Sequence, residues 1–171
     1  MREAIGGTWL FNLVIFFVLL FAGYMCLSIN YSKAFGVKDK IINELERNGG
    51  VKVFTNSNYT DVALTNISNY MKKVGYRTKG SCKGYSYGCT LDGKCTSVNS
   101  SNTTKYAFCL SEVKANDAYS YAINGTPGEF IYVSYYKVKV FYQLDLPIIR
   151  SAFDFNIKGD TKILYKTANK H

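Results

Sequence analysis

The feature that most constrains this chain is an apolar run close to its N-terminus. Residues 9–29 read WLFNLVIFFVLLFAGYMCLSI and contain no Asp, Glu, Lys or Arg. At 1.5 Å per residue, a helix of this length spans the roughly 30 Å hydrocarbon core of a bilayer. Trp9 at one end, and Tyr24 and Tyr31 towards the other, stand where interfacial aromatic residues are expected. We therefore predict a membrane-spanning helix over about 9–29.

A cleaved signal peptide is the main alternative for this run. Such a peptide has an apolar region of about 7–15 residues, followed by small residues around the cut. Here the apolar run is longer, and the residues that follow it (30–35, NYSKAF) suit cleavage poorly. No proline interrupts 31–47, apolar residues recur at mostly helical spacing, and Gly49 with Gly50 gives a stop signal. We predict one retained helix from about residue 3 to about residue 48.

Two signals in the sequence indicate opposite orientations for this helix. Lys33, Lys38 and Lys40 follow the span, whereas only Arg2 and Glu3 precede it, so the positive-inside count favours a cytoplasmic domain. Long domains, however, translocate largely regardless of charge, and the cysteines favour export. The predicted organisation is a helix over 1–48 and an extracytoplasmic domain over 49–171 with a Cys-rich loop at 80–110. The expected localisation is a cell membrane, crossed once.

Four of the five cysteines lie in one Gly-, Ser- and Tyr-rich stretch, and the fifth lies in the apolar run. An even number of clustered cysteines beside an export segment favours two disulfides. A zinc site is the alternative, but its ligands usually come in pairs two to four residues apart, and the C-x6-C-x5-C-x13-C spacing has no such pair. Four cysteines allow three pairings, which the sequence does not distinguish. Our preferred pairs among Cys82, Cys89, Cys95 and Cys109 are Cys89–Cys95 and Cys82–Cys109.

The order of predicted elements indicates an α+β fold. Several polar residues before Val62 are candidate N-caps for a short second helix that ends at Gly75. Strand-like patterns follow at 76–79, 105–113, 129–144 and 157–165, and Pro147 separates the last two. A long helix, a short helix and then several antiparallel strands are expected.

Two stretches of the chain resemble type IV pilin-like proteins, most nearly the TadE/TadF-like pseudopilins of tight-adherence pili. The leader 2–7 (REAIGG) runs into the apolar helix, and residues 138–149 (VKVFYQLDLPII) join a Val-rich strand through a Pro-containing turn to a closing strand over 153–165. The resemblance implies a pilin-like fold, cleavage at Gly6 and Gly7, and assembly with other pilin-like subunits through the helix. The Cys-rich middle of the chain does not share it.

One departure from that family lies inside the helix. A cut after Gly7 would place Asn12 at the fifth position of the mature chain, where the family carries Glu. Asn12 offers hydrogen bonds but no charge. It is either a helix-packing residue, since polar groups in a membrane usually face a partner helix, or a residue tolerated near the interface.

Few residues in this chain suit catalysis. The only histidine is His171, which excludes multi-His metal sites and makes a His-based triad a poor hypothesis. No dinucleotide, P-loop or zinc-protease motif occurs. We therefore expect no enzyme activity and no cofactor.

The net charge of +9 and the aromatic residues leave two interpretations open. The lysines are scattered, which is typical of a solvated surface and gives no reason to expect a nucleic-acid partner. A Tyr/Lys face on the strand at 129–144 is a candidate binding face, formed by Tyr135, Lys137, Lys139 and Tyr142. Core packing is the alternative for its aromatic residues.

The prediction from sequence is a non-catalytic, membrane-anchored, pilin-like or pseudopilin subunit of a pilus-type assembly or secretion apparatus. Its expected partners are the membrane and other subunits or assembly proteins. The alternative is a membrane-tethered extracellular binding or adhesion module that recognises an anionic surface polymer through the Tyr/Lys face.

Overall fold

The computed structural model describes residues 2–51, 61–99, 104–114, 129–145 and 150–169. Two helices and six strands follow one another in these ranges, and the predicted α+β class is confirmed. The elements are α1 Arg2–Arg47, α2 Val62–Lys73, β1 Tyr87–Cys89, β2 Cys95–Ser97, β3 Phe108–Lys114, β4 Glu129–Asp145, β5 Arg150–Asp160 and β6 Leu164–Asn169.

Both helices end where the sequence predicts, and they end in the same way. Gly49 follows α1 with φ of 66°, and Gly75 follows α2 with φ of 67°. After α1, the N–H of Gly50 donates to the carbonyl of Leu45 at 2.8 Å, and after α2 the N–H of Tyr76 donates to Met71 at 2.9 Å. This hydrogen bond and the left-handed glycine define the Schellman C-cap, which other residues adopt at a steric cost.

The start of α2 is fixed by a side chain. Asp61 has an extended backbone, and its carboxylate accepts a hydrogen bond from the N–H of Ala63 at 2.8 Å. An N-cap of this kind satisfies a backbone donor that the helix itself cannot satisfy.

The six strands form one antiparallel sheet in the order β2-β1-β3-β4-β5, with β6 also paired to β4. β4 is the long central strand: β3 lies along one edge, and β5 followed by β6 lies along the other. The predicted strand over 157–165 is therefore wrong as a single element. It is interrupted at 161–163, where Thr161 bonds to Tyr136 through both its N–H (2.9 Å) and its side-chain oxygen (2.9 Å).

The strand predicted at 76–79 is also absent. This segment is irregular, and Gly80 makes an isolated bridge to Tyr106. The Tyr76 side chain turns inwards, where its hydroxyl accepts the N–H of Phe141 at 3.0 Å and lies 2.7 Å from the carbonyl oxygen of the same residue. The hydrogen bonds of this one buried tyrosine take the place of the backbone hydrogen bonds that a strand would make with its neighbour.

The core lies between the sheet and the second half of α1. Fully buried side chains on α1 meet those on β3, β4 and α2; they are Ala34, Val37, Ile41, Leu45, Ile67, Met71, Phe108, Leu110, Tyr136, Val138 and Val140. The even-numbered residues of β4 from Tyr136 to Val140 therefore face the helix. The period of two in β4 and the roughly 3.6-residue period in α1 are what sequence patterning predicts for such a layer.

A buried carboxylate joins the two helices. The side chain of Glu44 accepts hydrogen bonds from Lys40 at 2.7 Å and from Asn66 of α2 at 3.0 Å. Asn48 donates to the Glu44 carbonyl at 2.8 Å. The hydrogen bond from Lys40, and next that from Asn66, lower the pKa of Glu44, and they outweigh the opposing effect of burial.

This arrangement predicts a pH-dependent contribution of Glu44 to stability. Because its pKa is lower in the folded state, the stabilisation is complete above its usual value of about 4.5 and is lost as the pH falls through the folded-state value. We expect Glu44→Gln to destabilise the domain at pH 7 and to differ less from the unmodified chain at pH 3. Urea unfolding at a series of pH values measures this. Lys40→Gln should remove part of the same pH dependence, and an offset that stays constant with pH would contradict the assignment.

Candidate functional site

The large apolar side chains in the first half of α1 are not packed against the described part of the domain. Every large apolar side chain from Trp9 to Phe21 is exposed, as are Tyr24, Met25 and Ile29. Among the described residues α1 is the one helix long and apolar enough to cross a membrane, and its most apolar segment is not buried at all. Such a surface calls for lipid or another helix as its environment.

The helix runs without a break from this apolar part, residues 2–29, into the core. We call residues 2–29 the bare half of α1. Ile29 is exposed, whereas Ala34, Val37 and Ile41 are buried against the sheet. The domain and the apolar segment are thus held by one continuous hydrogen-bonded helix, Arg2–Arg47. A rigid connection of this kind fixes the direction in which the apolar segment leaves the domain.

The two processing candidates and the polar residue predicted for helix packing all lie on the bare half. Gly6 and Gly7 are within α1, and a Cβ added at Gly7 would meet nothing within 4 Å. Asn12 is exposed on the same helix, one turn from Trp9. Its position suits a hydrogen bond to another helix, and whether it makes one stays a prediction.

The four domain cysteines form two disulfides, Cys82–Cys109 and Cys89–Cys95, which are the pairs preferred from the sequence. Cys89 and Cys95 are directly opposite each other in the β1–β2 hairpin, and both side chains belong to the core cluster on the helix side of the sheet. Cys82–Cys109 lies on the outer side instead, in a small cluster with Tyr106 and Phe141. Cys82–Cys109 thus joins the loop before β1 to β3, and Cys89–Cys95 closes the hairpin itself. Cys26 in α1 forms no disulfide, and its Sγ accepts a hydrogen bond from the side-chain amide of Asn30 at 3.7 Å.

The residues proposed as a Tyr/Lys binding face do not share one face. Tyr135, Lys137 and Lys139 are on the outer side of β4, but Tyr142 is on the helix side. The Tyr142 ring packs edge-on against Tyr31 of α1, with centroids 5.7 Å apart, and stacks on a β5 ring at 5.1 Å. Tyr142 is therefore a packing residue.

Lys139 is occupied by its own domain. Its Nζ donates to the carbonyl of Ser81 at 3.1 Å and lies 5.1 Å from the centroid of the Phe141 ring. Burial, and after it the charge of Lys158, lowers the pKa of Lys139. This lysine fastens the loop at Ser81 to the sheet, so less of the outer face is free for a ligand than the sequence indicates.

The described part of the outer face has a shallow depression of about 420 Å³. It is lined by Tyr85, Ser111, Lys137, Lys158 and Asp160, together with two glycines. Asp160 offsets part of the lysine charge and, after burial, contributes to raising the pKa of Tyr85. The mixture of charges favours an anionic ligand less strongly than a purely basic pocket would.

The described residues contain no group of three or more His, Cys, Asp or Glu side chains that could hold a metal ion. His171 lies outside the described residues, as does the Pro147 turn that carries part of the pilin-like resemblance.

Comparison of the chain with protein-family models, with curated proteins and with solved structures finds no match.

Proposed function

We propose that this chain is a non-catalytic, membrane-anchored subunit that assembles, in the manner of pilin-like proteins or pseudopilins, through the first half of α1. The observation that carries the proposal is the division of one unbroken helix into a bare apolar half and a half buried in the domain core. The apolar half inserts in the membrane, and the other half holds the domain beside it.

The size of the bare surface supports this reading. Burying one large apolar side chain is worth about 1.5–3 kcal/mol, and more than a dozen such side chains are exposed between Trp9 and Ile29. Leaving them in water would cost on the order of 20 kcal/mol, which is more than a domain's net stability. Lipid, and in an assembly the helices of neighbouring subunits, would remove this cost.

The continuity of α1 supports a retained anchor over a cleaved signal. A signal-type cut beyond Ile29 would fall inside the helix, within about one turn of the buried Ala34. A prepilin-type cut after Gly7 would leave the packed half and most of the apolar half intact. The two disulfides support a domain on the extracytoplasmic side, because disulfides persist in oxidising compartments.

The first test is the N-terminal sequence and intact mass of the protein from its native membrane, without reductant. We expect a chain that starts at Thr8 and is lighter by about two hydrogens for each disulfide. A chain that keeps residues 1–7 and has all its thiols free would overturn both processing and export. It would favour a membrane-tethered cytoplasmic domain.

Assembly is tested by cysteine cross-linking within the membrane. In a Cys26→Ser background, single cysteines are placed in turn at successive positions from Asn12 to Leu20. We expect cross-linked dimers at positions that recur about every 3.6 residues, because a partner helix contacts one side of α1. A cysteine in place of the exposed Lys94, on the domain, is the control.

Uniformly absent cross-links would count against an assembling subunit. They would leave the tethered binding module, for which the depression between Lys137 and Lys158 is the specific observation. That alternative predicts salt-sensitive binding of an acidic polysaccharide, lost in Lys137→Gln/Lys158→Gln.

A further inference from the structure

A second cavity lies beside α1 where the helix leaves its apolar segment. It has a volume of about 300 Å³ and is bounded by three parts of the fold: α1, the loop after α2 and the end of β4. The lining includes Asn30 and Lys33 of α1, Arg77 and Thr78 of the loop, and Tyr142 and Gln143 of β4. We call it the juxtamembrane cavity.

The packing of the helices explains why these parts meet. The start of α2 lies near the end of α1, since Asn66 bonds to Glu44, whereas the Tyr70 hydroxyl lies against Gly36. α2 therefore runs back along α1, and the loop that follows it reaches the level of Asn30. β4 ends at the same level, where the side chain of Asn30 donates to the carbonyl of Gln143 at 3.1 Å.

The same level is that of the membrane surface once residues 9–29 span the bilayer. Asn30 directly follows the apolar segment, and Lys33 is about 4.5 Å further along the helix axis. The polar headgroup layer begins where the hydrocarbon core ends. The part of α1 that lines the cavity thus lies at the level of the lipid headgroups, and this placement rests on the proposed membrane insertion of α1.

The cavity is cationic. Lys33 and Arg77 are both exposed, and none of the lining residues that the structure describes is acidic. The ion pairs found among the described side chains involve other lysines, namely Lys38, Lys40, Lys72 and Lys162. Thr78 and Tyr142 add hydroxyl groups. The Thr78 hydroxyl donates to the Phe141 carbonyl at 2.9 Å, which fixes the loop that carries Arg77.

We propose that the juxtamembrane cavity binds the headgroup phosphate of an anionic phospholipid from the leaflet on the domain's side of the membrane. The guanidinium of Arg77 presents paired N–H donors that match phosphate oxygens, and Lys33 supplies a second positive charge. Lipid held between α1 and the loop after α2 restricts rotation of the helix relative to the membrane. Sequence reasoning missed this site because Arg77 is 44 positions from Lys33 along the chain.

Native mass spectrometry of the full chain, released from detergent and titrated with phosphatidylglycerol, tests the proposal. We expect specific binding of phosphatidylglycerol and a roughly 25-fold weaker affinity in Lys33→Gln/Arg77→Gln, since each basic residue near an anionic lipid surface contributes about a factor of five. The matched control is Lys94→Gln/Lys114→Gln, which removes two exposed charges elsewhere on the domain. Lys33→Arg keeps both charges and the paired donors of Arg77, and should retain binding.

Three results would overturn the lipid site. Equal binding of phosphatidylglycerol by the unmodified chain and by Lys33→Gln/Arg77→Gln would remove the role of the two cations. Equal binding of phosphatidylcholine with the same acyl chains would indicate unspecific lipid around the helix. Displacement of phosphatidylglycerol by an equal concentration of inorganic phosphate would assign the cavity to a free anion.

Failure of this inference is distinguishable from failure of the proposed function. Alkaline carbonate extraction of native membranes reports whether the chain is inserted, independently of any headgroup preference. A chain that resists extraction but shows no preference for phosphatidylglycerol would contradict the lipid site alone. A chain released by carbonate would contradict the membrane insertion of α1, and the lipid site with it.

Discussion

Ile41→Ala is expected to lower the free energy of unfolding of the domain by about 2–5 kcal/mol, the range found when a buried Ile or Leu is truncated in a close-packed core. Ile41 is fully buried, with 0% of its surface exposed, between α1 and the sheet. The loss combines the transfer free energy of the missing methyl groups with the cavity they leave. Urea unfolding of the full chain in detergent, followed by near-UV circular dichroism, measures the change.

The same helix offers a matched control in Ile29→Ala. Ile29 is 57% exposed and lies on the bare half, so its truncation should change domain stability by no more than about 0.5 kcal/mol. Equal effects of the two substitutions would contradict the division of α1 into a membrane half and a core half. The pair therefore tests both the fold and the observation that carries the proposed function.

Removing the Cys82–Cys109 disulfide is expected to cost about 3.5 kcal/mol. The two cysteines are 27 residues apart, and the entropy that a cross-link removes from the unfolded chain rises with the logarithm of that separation. The bridge also holds the loop at Cys82 against the outer cluster with Tyr106 and Phe141. The variant Cys82→Ala/Cys109→Ala, compared by urea unfolding without reductant, gives the value.

Cys89→Ala/Cys95→Ala serves as the comparison. That bridge closes a loop of only 6 residues within one hairpin, for which the same relation gives about 2 kcal/mol. We expect the longer-range variant to be the less stable of the two. A lower stability of Cys89→Ala/Cys95→Ala, or an unchanged stability of the unmodified chain in dithiothreitol, would contradict the larger stabilising effect assigned to the Cys82–Cys109 disulfide.

Sequence reasoning was most accurate where a local signal acts alone. The extent of α1 and the stop at Gly75 follow from local signals, and Asp61, one of several candidate N-caps, begins α2. The central strand β4 was also visible because its alternating residues match a half-buried pleat. The short strands β1 and β2 were missed, since three-residue strands of Tyr, Gly, Cys, Thr and Ser have no apolar period to detect.

The candidate surfaces show where local reasoning stops. From the sequence, Lys139 and Tyr142 are predicted to bind a ligand. In the structure Lys139 holds a loop against the sheet, and Tyr142 packs on α1. Their roles depend on contacts with Ser81 and Tyr31, which are distant along the chain. No periodic pattern in the sequence predicts such contacts.

By itself, then, the sequence determined the apolar segment, the second helix, the long strand and the clustering of the cysteines, because each depends on the chemistry of neighbouring residues. The tertiary structure alone decided which side chains face each other across the layers. It placed the two disulfides on opposite faces of the sheet and brought Arg77 beside Lys33 at the end of the apolar segment. These outcomes depend on how α1, α2 and the sheet pack, and that packing is set by contacts between residues far apart in the chain.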